Sequence, residues 1–490
     1  MEIIIVSSEA VPYVQTGGLG DVVGAFANQL ALKNHHVYLI IPFFRNIRQN
    51  RSKLKLKICV SALEVKMGDR TFSCRVWKTF PAPNLQVFFI EYNDFFDRNN
   101  LYVDGFEEYE DNGERFSFFC KAALDLSLKI KLNPDIIHVN DWQTALIPYY
   151  LKTWYWNEPS FKNTASVFTI HNMGYQGRIN RSKSSFLGLN WMQMRSEEFE
   201  DQGKINLLKG GIFYADVITT VSPTYAKEIL TEPGGCGLSN HLSRRTIDVT
   251  GILNGIDDQL WNPETDPYIP ENFSRKNLFG KTVCKANLQK QFGFEVNPEI
   301  PIFGIVSRLA YQKGLQLLME CADDIMQWEL QFILLGSGDP SYSEFFQNLA
   351  KRYPGKAGVY IGFQTELSHL IEAGSDFSIM PSLYEPCGLN QLYSMLYGTL
   401  PIVRATGGLN DTVEKFDEEN LTGTGFVFDD ISSNALRNTI GWALSTWYDK
   451  REAYKKIQLQ AMNQDFSWKN PIREYESVYR KAIRRRKDWH

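Results

Sequence analysis

Thr16-Gly17-Gly18-Leu19-Gly20-Asp21-Val22-Val23 returns near the far end of the chain as Thr406-Gly407-Gly408-Leu409-Asn410-Asp411-Thr412-Val413, with five of the first six positions identical. Each copy follows a short apolar run and precedes a helical pattern, so each predicts a strand, a tight glycine turn and a helix. Such a turn can aim backbone N–H groups and a helix N-terminus at an anion; for either copy alone, a plain structural turn explains the glycines equally well. Working outward, β-branched runs alternate with amphipathic stretches, the mark of a parallel sheet covered by helices. The runs Glu2 to Val6, Val37 to Ile41, Asp135 to Val139, Ala165 to Ile170 and Asp216 to Val221 make one doubly wound unit. Ile300 to Val306, Leu330 to Leu335, Val359 to Ile361, Asp376 to Met380, Leu400 to Val403 and Gly425 to Phe428 make a second.

The fold class is therefore α/β, with domains expected at 1–250 and 251–465. The Pro- and Asn-rich stretch from Trp261-Asn262-Pro263 to Phe279-Gly280 reads as a connection between them. A last segment, 466–490, runs from Phe466-Ser467-Trp468 to Trp489 and His490, with Tyr475, Tyr479 and Ile483 at near-helical spacing. Its run Arg484-Arg485-Arg486-Lys487 reads as a solvated helix end.

Composition narrows the function. The 490 residues carry 52 Lys plus Arg against 56 Asp plus Glu, a net charge of −4, so there is no global basic field for nucleic acid or a membrane surface. No apolar run reaches the roughly 18 residues of a spanning helix. Seven scattered cysteines with no CxxC fit reduced thiols and a cytoplasmic setting, or a stromal one after processing. The seven histidines show no HxxxH or HExxH spacing, so no metal site is expected.

In open α/β sheets ligands bind beyond the carboxyl ends of the strands. There the first half offers His138-Val139-Asn140-Asp141-Trp142 and His171-Asn172-Met173-Gly174-Tyr175-Gln176-Gly177, and the second offers Ser307-Arg308 and Gly336-Ser337-Gly338-Asp339-Pro340. Arg308 and Lys313, five apart at a strand end, suit a diphosphate whose charge grows as it departs. Glu385, in Pro381-Ser382-Leu383-Tyr384-Glu385-Pro386-Cys387-Gly388-Leu389, sits at a turn that opens a helix, placed either to accept sugar hydroxyls or to act as a first-turn helix acid. Cys387 has no histidine near it in sequence and reads as a packing thiol. Asp141 beside Trp142 pairs a carboxylate with a flat apolar face, as sugars require, or else caps a helix. His171 is a strand-end hydrogen-bond partner whose neighbours Asn172, Gly174, Tyr175 and Gly177 favour substrate contact.

Taken in order, these motifs resemble the bacterial glycogen synthase and plant starch synthase family. The likeness runs nearly end to end, adding Asp111-Asn112 with Arg115-Phe116, Val221-Ser222-Pro223-Thr224-Tyr225-Ala226, Leu253-Asn254-Gly255, Ser307-Arg308-Leu309 and Gln312-Lys313-Gly314-Leu315 to those above. The resemblance implies two Rossmann-like domains facing a deep cleft (the GT-B architecture), the first on the acceptor side and the second holding the donor, with the final helix crossing back to the first. It implies transfer of glucose from ADP-glucose, less often UDP-glucose, to the nonreducing 4-hydroxyl of an α-1,4-glucan with retention and large domain motion. The donor and the glucan are then its partners, no cofactor or metal is needed, and nothing in the motifs sets an oligomeric state. By carry-over, Arg308 and Lys313 bind the diphosphate, Glu385 orients the donor glucose, and Asp141 and His171 line the reacting centre. Gly18, Asp21, Asn254, Gly338, Phe363, Cys387, Gly388, Leu389, Thr406 and Gly407 complete the donor site, with Phe363 stacking on the base. Trp142, Asn172 and Tyr175 face the acceptor.

The chain departs from the family pattern at Gln15, where Lys usually precedes the first glycine motif. Asn140 replaces a second His as in the starch synthase branch, and Asn390 stands where Thr or Ile is more usual. Tyr393, eight beyond Glu385, occupies a position where many retaining relatives carry a second Glu, which favours the starch and glycogen group. The alternatives are a UDP-glucose user of the same fold, another two-domain transferase with a different acceptor, and a glucan-binding relative with little turnover, the last kept open by Gln15.

Overall fold

A computed structural model of the chain describes residues 1–105 and 107–487, so Trp489 and His490, the end of the expected last segment, lie outside the described residues. The chain forms two compact units, one of Met1–Gly255 joined by the stretch from Trp468 onward, the other of Ile256–Ser467. The expected boundaries after residues 250 and 465 fall just before these crossing points.

Among the described residues the first unit is built on a nine-stranded sheet. Its strands are β1 (Glu2–Val6), β2 (His36–Pro42), β3 (Lys57–Met67), β4 (Arg70–Ala82), β5 (Leu85–Glu91), β6 (Ile136–Asn140), β7 (Ala165–Ile170), β8 (Val217–Thr220) and β9 (Val249–Gly251), in the order β9-β8-β7-β6-β1-β2-β5-β4-β3. The β1 run Ile3 to Val6 is wholly buried, as expected of a central parallel strand flanked by β2 and β6. The sequence reading missed the antiparallel extension, in which β4 pairs with both β3 and β5. β3 and β4 alternate buried and exposed residues, so they lack the continuous apolar run that marks the parallel strands.

The second unit holds a six-stranded parallel sheet of β10 (Ile302–Leu309), β11 (Gln331–Gly338), β12 (Ala357–Ile361), β13 (Phe377–Met380), β14 (Leu400–Arg404) and β15 (Phe426–Phe428). The order β12-β11-β10-β13-β14-β15 reverses direction between β10 and β13, a switch point. The stretch 261–280 is not a mere connection. Trp261 stacks between His369, 3.8 Å away, and Tyr393, 3.9 Å away. Asp266 accepts hydrogen bonds from His369 Nδ1 at 2.7 Å and the Tyr397 hydroxyl at 2.5 Å, and Ile269 and Phe273 enter the core. Turn residues shape this stretch, but its spaced aromatic and aliphatic side chains still have core to fill.

The two glycine motifs open α1 (Gly18–Leu32) and the short helix α2 (Gly407–Thr412), each after an extended residue, Gly17 and Thr406. The closing helix α3 (Lys469–Lys487) packs in the first unit, where Tyr475 lies 4.5 Å from the Phe26 ring of α1. Its basic end is only partly solvated. Arg485 pairs with Asp248 at 2.9 Å, and Arg486 is 5% exposed, because this face of the helix lies against the sheet and the Asp248 turn.

Candidate functional site

In the first unit the polar groups gather just past β6 and β7. Asp141 has a left-handed φ of 55°, a conformation that costs a non-glycine residue about 1–3 kcal/mol and persists only when its surroundings impose it. Its carboxylate does not cap the turn that follows. It accepts from the backbone N–H of His171 at 2.7 Å and from that of Asn172, joining the two strand ends. Burial pushes its pKa up to about 7 despite those bonds, and the neighbouring Glu9 charge adds to the rise.

His171 stays neutral, its pKa held at about 3 by burial. Asn140 Nδ2 donates to the Val6 carbonyl at 3.1 Å, which turns its Oδ1 toward His171 Nε2, 2.9 Å away. An acceptor at that position puts the proton on Nε2 and leaves Nδ1 as the accepting nitrogen. The loop beyond is held by Gly174 N–H on Asn172 Oδ1 at 2.8 Å, and by Met173 N–H on the Tyr225 hydroxyl at 3.0 Å. Ser222 caps the helix that carries Tyr225, so the Ser222-Pro223-Thr224-Tyr225 motif acts as a brace for this loop. Tyr175 projects from it, half exposed.

Trp142 departs from expectation. It is 5% exposed, with the Phe116 ring at 5.2 Å edge-on and the main chain of Gly177 against its face. Gly177 has φ +61°, and a Cβ there would stand 2.4 Å from the indole. The ring packs the core and presents no flat face to a sugar.

Gly18 and Asp21 lie in the first turn of α1. Asn254 is buried, and its Oδ1 has no hydrogen-bond partner among the described residues.

In the second unit the candidate residues converge at the carboxyl ends of β10, β13 and β14. Lys313 Nζ donates to Glu385 Oε2 at 2.6 Å, and the Ser382 hydroxyl donates to the same oxygen at 2.9 Å. Gln312 reinforces the pairing of their two loops, through Leu383 N–H on its carbonyl at 2.9 Å and its own Nε2 on Tyr384 O at 3.2 Å. Arg308, at the end of β10, is exposed and reaches Gln312 Oε1 at 3.4 Å. Glu385 lies in the loop before the helix Asn390–Leu396, so it is not a first-turn helix acid.

The second glycine motif closes on that same loop. Gly408 N–H donates to Glu385 O at 3.0 Å, and a Cβ on Gly407 or Gly408 would stand 2.0 Å from Glu385 O or Cys387 O respectively. Cys387 is buried, Gly388 takes φ +74°, and Leu389 precedes the helix. Asn390 Nδ2 donates to Val306 O at 2.5 Å, tying this turn to β10 two residues before Arg308. Gly338 ends β11 with φ +152°, and Phe363, just past β12, is 69% exposed.

Sequence reasoning missed Glu9, Tyr102 and the roles of Asn112 and Arg115. Glu9 is 3% exposed and accepts from the Thr16 N–H, the Thr16 hydroxyl at 2.8 Å, the Tyr102 hydroxyl at 2.6 Å and the Gly17 N–H. Arg115 is fully buried and donates to Phe95 O, Leu101 O and Asn112 Oδ1, while Asn112 Nδ2 donates to Tyr102 O. An acid in an apolar context shortly before a glycine turn was the available signal for Glu9; Tyr102 lies too far away in sequence to have been linked to it.

Among the described residues no group of three or more His, Cys, Asp or Glu side chains is arranged to hold a metal ion, and no helix is long and apolar enough to cross a membrane.

Against known families, residues 2–244 match the starch synthase catalytic domain and residues 288–460 match glycosyl transferases group 1. The chain is 42% identical over 488 residues to glycogen synthase 1 of Geobacter metallireducens, an alignment covering 99% of this chain and 97% of that protein. It is 41% identical over 486 residues to glycogen synthase of Thermotoga maritima, covering 99% of both. Among solved structures it is similar to the catalytic domain of starch synthase IV from Arabidopsis thaliana bound to ADP and acarbose, with a TM-score of 0.90, 32% identity, and coverage of 98% of this chain and 99% of that one. Sucrose-phosphate synthase from Thermosynechococcus elongatus, at 17% identity and a TM-score of 0.61, shares the fold alone. With such identity along nearly its whole length, the chain belongs to the glycogen synthase and starch synthase family of glycosyltransferases and has its two-domain GT-B fold.

Proposed function

We propose that this enzyme transfers glucose from ADP-glucose to the nonreducing 4-hydroxyl of an α-1,4-glucan with retention of configuration. The observation that carries the reading is the gathering of Arg308, Lys313 and Glu385 at adjoining strand ends, within a chain about 42% identical to glycogen synthases over its full length. Arg308 and Lys313 are assigned to the donor diphosphate, whose charge grows as the sugar departs. Fixed cations there stabilise the transition state more than the ground state. Lys313 is already oriented by Glu385, so binding needs little reorganisation of that side chain. Glu385 takes hydroxyls of the donor glucose, and the turn Cys387, Gly388, Leu389 with Thr406 and Gly407 supplies backbone groups. Gly338 and the exposed ring of Phe363 are assigned to the nucleoside.

In the first unit Asp141 and neutral His171 line the reacting centre, and His171 Nδ1 can accept a sugar hydroxyl. Gly18, Asp21 and Asn254 contact the donor, and Asn172 and Tyr175 the acceptor. The departing phosphate oxygen takes the proton of the attacking 4-hydroxyl as the new C–O bond forms on the same face of the sugar, so the step needs neither a covalent enzyme intermediate nor a metal. Seven cysteines that form no disulfide among the described residues suit a reducing compartment, and the reading puts the enzyme in the cytoplasm.

Incubation with glycogen and labelled ADP-glucose or UDP-glucose tests this. Polymer labelling from ADP-glucose supports the assignment, labelling from UDP-glucose alone changes the donor, and donor or glucan binding without incorporation replaces synthesis with a binding role.

A further inference from the structure

The peptide N–H groups of Thr16 and Gly17, which a sequence reading offers to a ligand anion, are already committed to the protein's own carboxylate, Glu9. We propose that Glu9 is a positioning residue for donor binding: by filling this amide cradle itself, it presents the turn that starts α1 to the donor in a preformed shape. The inference rests on the donor role assigned above to Gly18 and Asp21.

Four observations support it. Both Glu9 oxygens are used, Oε2 by the Thr16 N–H and Oε1 by the Thr16 hydroxyl and the Tyr102 hydroxyl, 2.6 Å away. Tyr102 is itself held by Asn112 Nδ2 on its carbonyl at 2.9 Å, and Asn112 by Arg115 Nη1 at 2.6 Å. The family-like Asn112 and Arg115 therefore end in a support for Glu9. Behind the loop, Ala10 bridges to Val14, and Gly24 lets the Val11 carbonyl come so close that a Cβ would stand 2.1 Å from it. The loop is thus pinned at its rear and at Thr16-Gly17, and what it leaves for the donor begins at Gly18. A loop fixed before binding spares the ordering cost that a mobile one incurs.

The test compares Glu9→Gln, Thr16→Val and Thr16→Ser with the wild type. Glutamine keeps the size of Glu9 but places an amide N–H₂ against donors, and valine removes the Thr16 hydroxyl that serine retains. In Glu9→Gln and Thr16→Val the donor KM rises about tenfold, equivalent to about 1.4 kcal/mol, while kcat and the KM for glycogen stay within about threefold; Thr16→Ser restores the wild-type donor KM. Circular-dichroism melts check that each variant is folded. Turnover by the wild type together with an unmoved donor KM in Glu9→Gln overturns this inference alone. A parallel loss of kcat, of both KM values and of melting temperature also overturns it, in favour of a merely structural carboxylate. Wild-type protein that labels no glucan from either donor overturns the functional reading, and this inference with it.

Discussion

At Thr16-Gly17 the peptide N–H groups turn onto a buried carboxylate, whereas in the second copy of the motif Gly407 and Gly408 press main chain against main chain, with Gly408 N–H on the Glu385 carbonyl at 3.0 Å. A Cβ on Gly17 would meet nothing within 4 Å, while one on Gly407 would stand 2.0 Å from Glu385 O. The first copy needs its neighbours' polar groups; the second needs the absence of side chains. One motif thus shapes two turns by different physics, and α2 ends at Thr412 where α1 runs on to Leu32.

The largest effect is expected in the second unit. Replacing Lys313 or Arg308 by Ala is predicted to lower kcat/KM by two or more orders of magnitude, roughly the loss seen when one preorganised group is removed from a developing charge. The circular-dichroism melt should stay close to that of the wild type. Undiminished turnover would move the diphosphate elsewhere.

The contrast between the copies is broken most directly by alanine. Gly407→Ala, forced to φ +43° against a carbonyl that cannot step aside, should destabilise the fold by about 1–3 kcal/mol. Gly17→Ala, in extended backbone, should stay within about 0.5 kcal/mol. Denaturant midpoints of the two variants measure the difference, and equal losses would dissolve the distinction.

Asp141 sharpens the first unit. Its carboxyl is raised from the usual 3.8 to about 7, so the native state binds a proton more tightly than the unfolded chain does. The stability this contributes is fully present below about pH 4 and is lost as pH climbs through about 7. Asp141→Asn cannot titrate, so between pH 5 and 8 its urea midpoint should gain on that of the wild type. A constant gap across that range would refute the buried, protonated acid. The smallest effect concerns Gln15: Gln15→Lys is predicted to tighten donor binding several-fold by adding a cation beside the turn to which the donor is assigned. An unchanged or weaker dissociation constant by calorimetry would count against that.

Much of this was legible beforehand where the signal is local. The strands β1 and β7 show in sequence as short, mostly apolar runs rich in β-branched residues, and the residues at and after the ends of β6, β7 and β10 carry the polar groups that a parallel sheet exposes at its carboxyl edge. β3 and β4 were missed because half-buried antiparallel strands dilute that run with Lys, Glu and Arg. Trp142 was misjudged because sequence shows a ring but not what covers it, and the cover is Gly177, more than thirty positions on. Arg486 was misjudged for the same reason, since its neighbours in the basic run share its charge but not its burial.

From its own letters the chain settled the two α/β units, the turns that bear the candidate residues, and membership in a family whose motifs it carries in order, because periodicity, glycine turns and motif order are written in neighbouring residues. Only the tertiary structure decided that Glu9 fills the first amide cradle, that Lys313 is oriented by Glu385, that His171 keeps its proton on Nε2, and that the 261–280 stretch packs as core. Those outcomes depend on desolvation and on partners from seven to more than a hundred positions apart, and burial strong enough to lift a carboxyl to about 7 exists only once the chain has closed around it.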